Sequence, residues 1–135
     1  MSGITELDTL LESMSPLLVD GEYVFCTVQG ALVDYVHCAP IATFQEQEGL
    51  TLVLLREQAE SAGLAFDGVF CLISLMVHSS LEAVGLTAAV ATKLKDHGIS
   101  ANVIAAYYHD HIFVQKEKAA QALAALQEFS SLCAE

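Results

Sequence analysis

The sequence predicts an α+β fold: two ferredoxin-like units in tandem, each an antiparallel sheet with helices on one face. Two observations predict it. From Val69 onward the chain reads as strand, helix, strand, strand, helix, which is a βαββαβ unit lacking only its last strand. In addition, residues 52–59 (LVLLREQA) lie over residues 112–119 (IFVQKEKA) at an offset of 60, so the strand–helix junction occurs twice. The expected division is an N-terminal helix plus an abbreviated unit over residues 1–65, and a fuller unit over residues 66–135.

The elements follow in order. Ile4, Leu7, Leu10 or Leu11, and Met14 form one apolar stripe at helical spacing, closed by Ser15-Pro16. Val19-Asp20-Gly21 is a turn, and residues 22–28 (EYVFCTV) read as a strand covered on both faces. Residues 30–37 suggest a short helical turn. Residues 41–45 and 50–55 read as two strands joined by the Glu46-Gln47-Glu48-Gly49 hairpin. A short helix spans residues 56–62, with Gly63 at its C′ position. The run from Val69 to Val77, apolar but for Ser74, is a buried strand. An Ala-rich helix follows and stops at Gly98. Strands over residues 101–107 and 111–114 are joined by His109 and Asp110, and a last helix covers residues 116–129.

Composition narrows the function classes. The 135 residues are 54% hydrophobic, with mean hydropathy +0.51, enough for a sizeable core and against disorder. The longest nearly apolar run is about nine residues, short of the ~20 that span a bilayer, and MSGITELD has no signal-peptide pattern; the expected location is the cytoplasm. Seventeen acids against five bases give a net charge of −12, which repels nucleic acid and anionic membrane surfaces. The four cysteines form no CxxC pair, so packed, reduced thiols are expected rather than disulfides.

Three clusters could carry chemistry. At residues 77–85 (VHSSLEAVG) a strand ends and a helix begins. Ser79 and Glu82 fit a capping box that starts the helix near Ser80. The other reading starts the helix near Val84 and leaves a loop whose free N–H groups attract a carboxylate, with Gly85 allowing close approach. On pattern alone the capping box is preferred. His109-Asp110-His111 invites a metal reading, but no third ligand stands at a recognisable spacing, so an exposed polar hairpin is preferred; Asp110 alone is a carboxylate suited to an ammonium or guanidinium. Cys26, His37 and Cys38 suggest a thiol site, but no orienting third group is readable, so packing is the default. No metal, cofactor or catalytic motif is expected.

Residues 70–115 resemble the ACT domain, the βαββαβ amino-acid-binding regulatory unit. SSLEAVGLTAAVATKL, DHGISANVIAAYY and HDHIFV carry the resemblance. They look like the regulatory ACT units of amino-acid-pathway kinases, and more like tandem ACT proteins that include the animal cytosolic arginine sensors. GEYVFCTV, TFQEQEGLTLVL and the repeat look like a bacterial group of small tandem ACT-like proteins. The resemblance implies a ligand at the strand–helix loop, with Ser80, Glu82, Ala83, Val84 and Gly85 as contacts and Asp110 as the acid in the following hairpin. Ser and Glu replace part of the family's Pro-Gly or Gly-Val loop. With the resemblance, the binding loop is preferred over the capping box. The expected function is a non-catalytic sensor of an amino acid or similar small molecule, assembled as a homodimer. The alternative is a protein–protein interaction or oligomerisation module without a ligand.

Overall fold

The computed structural model describes residue 11 and residues 13–76 and 85–131. The chain divides into a contiguous unit, residues 21–70, and a split unit made of residues 1–20 and 71–135. This division follows packing, and it differs from the chain-order division at 65/66. The expected helix at residues 4–14 falls mostly outside the described residues.

The contiguous unit opens with β2 (Tyr23–Val28). This strand pairs antiparallel with β4 (Leu50–Leu55), which pairs antiparallel with β3 (Ala42–Gln45). A 3-10 segment, Leu32–Cys38, replaces the crossover helix, and the short helix α1 (Arg56–Ser61) follows β4. Strand side chains alternate between faces. Val24, Cys26 and Val28 of β2 and Leu50, Leu52 and Leu54 of β4 therefore share one buried core, closed by Cys38 and Ala59. Arg56 ties the start of α1 to the strand beside it, reaching Glu22 at 3.0 Å and Glu60 at 3.4 Å.

The split unit has the strand order β1 (Pro16–Leu18), β5 (Phe70–Leu75), β7 (Asp110–Gln115), β6 (Asn102–Ala105). Phe70, the first residue of β5, belongs to the contiguous unit, where it pairs with Tyr23. β1 was not foreseen: Pro16 opens a strand as well as ending the segment before it. Its antiparallel pairing with β5 (Pro16 opposite Leu75, Leu18 opposite Ile73) fills the edge where a βαββαβ unit places its last strand. α2 (Leu86–Asp96) and α3 (Ala119–Ser131) pack on one face of this sheet. Their Val90, Leu94, Ala122, Ala125 and Leu126 join Ile73, Leu75, Ile112 and Val114 in a core that also buries Met14. The second expected helix starts late, because residues 116–118 form a 3-10 turn before α3.

The repeat holds in the hydrogen bonding. Ala42 opposite Val53 through Gln45 opposite Leu50 matches Asn102 opposite Phe113 through Ala105 opposite Asp110 at the offset of 60. The turns match as well: Glu46 N–H donates to the Gly49 carbonyl, and Ala106 N–H to the His109 carbonyl. The second turn is thus residues 106–109, not His109-Asp110, and Asp110 is already in β7.

Candidate functional site

All the residues singled out for binding lie in the split unit. Ser80, Glu82, Ala83 and Val84 fall outside the described residues. Gly85 is the N-cap of α2, with φ 96° and ψ −15°, a left-handed conformation that glycine adopts without strain. Its carbonyl accepts the Ala89 N–H at 2.8 Å, the first bond of the helix. Among the described residues no side chain caps this end, and the first turn holds no acidic residue. The first-turn N–H groups therefore have, among the described residues, no side-chain acceptor of the kind that a Ser, Asp or Asn cap supplies. α2 is described from Leu86; the two starts expected for it, near Ser80 and near Val84, both lie outside the described residues.

Asp110 opens β7. By strand alternation it lies on the face of Ile112 and Val114, both in the core beneath the helices. Its counterpart at the offset of 60 is Leu50, a core residue of the contiguous unit. A carboxyl thus stands at a register where the repeat has a buried leucine. Burial pushes its pKa up, against the smaller downward pull of His111 and His109.

His111 points to the opposite face, where Ser74 of β5 waits. The Ser74 Oγ and His111 Nδ1 lie 2.7 Å apart, so the buried hydroxyl in an otherwise apolar strand is satisfied. Burial, and secondarily His109, lower the His111 pKa, with Asp110 opposing. The Nδ1 atom of His109 is buried without a hydrogen-bond partner among the described residues. The hairpin is therefore half-buried around its histidines and acid, not an exposed polar turn. The exposed part is Tyr107 and Tyr108, which meet edge to face at 4.9 Å. The Ser74–His111 pair was missed from sequence; its signal was the one polar residue in the apolar run, facing a histidine on the next strand.

Among the described residues no set of three or more His, Cys, Asp or Glu side chains converges as metal ligands. No described helix is long and apolar enough to cross a membrane. The third cluster does meet in part: His37 Nε2 lies 3.6 Å from Cys38 Sγ, and Cys26 and Cys38 share a core.

ACT domain models match residues 2–71 and residues 70–128, and the chain belongs to this family. It is 69% identical to a Vibrio cholerae protein of unknown function described as a possible transport protein, over 96% of this chain and 99% of that one, with a TM-score of 0.87. A protein from Agrobacterium tumefaciens is 15% identical, covering 87% of this chain and 89% of that chain, with a TM-score of 0.69. The regulatory subunit of aspartate kinase from Thermus thermophilus is 10% identical, over 84% of this chain and 94% of its own, with a TM-score of 0.65. These last two share the fold. No curated protein matches the chain.

Proposed function

We propose that this chain is a non-catalytic regulatory module of the cytoplasm that binds an amino acid or a similar small molecule at the strand–helix loop of its second repeat. In chain order, residues 1–65 supply an N-terminal helix and an abbreviated unit and residues 66–135 a fuller one, and the second carries the polar groups. The ligand carboxylate meets N–H groups between Ala83 and Gly85, with Ser80 and Glu82 beside it; the ligand's positive group meets Asp110. Asp110 carries this reading: a desolvated carboxyl at a core-facing register costs stability in the free protein and is offset by a cationic partner. The start of α2 at Gly85, without a side-chain cap among the described residues, supplies the complementary end, since a helix N-terminus favours an anion by about 0.3–1 kcal/mol or more when partly buried.

The test is a thermal-shift screen of the twenty amino acids. A ligand that binds only the native state raises the melting temperature with dose. Asp110→Asn keeps the shape, removes the charge, and is expected to weaken binding by about 1.5–3 kcal/mol, the scale of a hydrogen bond to a charged group. Gly85→Val is expected to weaken it similarly, but φ 96° adds a folding cost, so that variant is judged against its own ligand-free melting temperature. If no amino acid shifts the wild type, or the shift survives in Asp110→Asn, the site assignment fails.

One observation favours the interaction-module reading. Leu32, Val33, Val36, Ile41 and Phe44, all exposed, fall within residues 32–44 of the contiguous unit. Such a concentration of exposed apolar side chains is a mark of a contact surface.

A further inference from the structure

The 3-10 segment Leu32–Cys38 lies in the contiguous unit, and the residues assigned to ligand binding belong to the split unit. Cys38 is its one buried residue, 1% exposed, while Leu32, Val33, Asp34, Val36 and His37 are exposed. The segment is held on the sheet by Cys38, by the partly buried Tyr35 packed against the same core with its hydroxyl donating to the Gln29 carbonyl at 2.7 Å, and by local turn bonds. Ala39, directly after the anchor, has φ 52°, a left-handed conformation disfavoured for alanine. Cys26 of β2 belongs to the same buried core as Cys38. Both thiols are free.

We propose that Cys26 and Cys38 are a thiol pair that peroxide converts to a disulfide, latching the crossover segment onto β2. A segment with so little burial opens locally at low cost, which brings Cys38 to solvent. His37 Nε2 lies 3.6 Å from the Cys38 sulfur and, in the Nδ1–H tautomer, accepts the thiol proton. The Cys38 thiolate attacks one peroxide oxygen; the O–O bond breaks, giving the sulfenic acid and, with the proton returned, water. The Cys26 sulfur then attacks the sulfenic sulfur as its own proton leaves with the hydroxyl, forming the S–S bond and a second water. Two thiols and one hydrogen peroxide give one disulfide and two waters. Cys38 acts first because burial, and then the neighbouring Cys38 charge, raise the pKa of Cys26.

The experiment is peptide mapping of the full chain after graded hydrogen peroxide and alkylation of remaining thiols. The expected product is a Cys26–Cys38 linked peptide that accumulates with dose, is reversed by dithiothreitol, and accompanies a raised melting temperature. His37→Gln is expected to slow its formation several-fold at neutral pH with little change in melting temperature. In Cys26→Ser, dimedone is expected to trap Cys38 sulfenic acid. The proposal is overturned if both thiols stay fully alkylatable, if Cys38 proceeds to sulfinic acid while Cys26 remains free, or if the link forms through Cys71 instead. Should Cys26→Ser fail to fold, the wild-type map decides alone.

Discussion

Asp110 and Leu50 occupy the same place in the two repeats, and their difference is measurable without any ligand. The raised pKa of Asp110 means that the folded state holds its proton more tightly than the unfolded state does. Below the ordinary carboxylate pKa both states are protonated and nothing is lost. As pH rises through the raised value, the folded state must carry a desolvated charge, and stability falls. Asp110→Asn escapes this loss. Urea midpoints are therefore expected to separate in favour of Asp110→Asn as pH rises above about 4 and to converge in acid. His111 has the opposite sense. Its lowered pKa means that stability is lost as pH falls from the ordinary histidine value through the lowered one, because the unfolded chain takes the proton first. His111→Gln is expected to flatten that acid-side decline. A wild-type advantage over Asp110→Asn at neutral pH would show that Asp110 already has a favourable partner in the free protein.

At the scale of elements, periodicity and turn residues made most of the fold legible. β4 and β7 announced themselves through the alternation of LTLVLL and DHIFVQ and through the shared strand–helix junction. β1 did not, because three residues, PLL, carry no period, and proline reads as a stop. What makes it a strand is its pairing with β5, 57 residues away at Leu17 opposite Ser74. Asp110 was legible through the family resemblance; the repeat also held its core-facing register, visible once Leu50 is seen buried. Ser74 and His111 were each noticed, but their pairing depends on the sheet order bringing β5 beside β7. The N-terminal segment is expected to be needed by the split unit: Met14, 2% exposed, sits in that core. Met14→Ala is expected to cost about 2–5 kcal/mol, read by urea unfolding. A fragment of residues 66–135 alone is expected to show the fluctuating packing of an open-edged unit, and addition of a peptide of residues 1–20 to restore a cooperative transition.

The whole chain carries a net charge of −12, so self-association must find surface that does not bring carboxylates together. β3 and β6 each pair with one neighbour only among the described residues. The β3 sequence, ATFQ, is uncharged, with Phe44 exposed. An unpaired, uncharged strand edge is a template for a second chain. Sedimentation velocity is expected to show a dimer that strengthens with salt as repulsion is screened, and Phe44→Lys to shift it to monomer. A monomer at high concentration and high salt would end this expectation.

The pairing of Pro16–Leu18 with β5 also fixes an order of events during synthesis. The strand Pro16–Leu18 has no partner until some fifty residues later, while the contiguous unit emerges in between with all its strands to hand. Loop closure over that stretch is the entropic barrier, so the inserted unit has the shorter route to its native contacts. Pulsed hydrogen exchange during refolding is expected to protect Leu52 and Leu54 before Ile73 and Ile112. On the ribosome, the early segment waits as an unpaired apolar stretch, exposed to chaperones and to neighbouring chains, until β5 has been made.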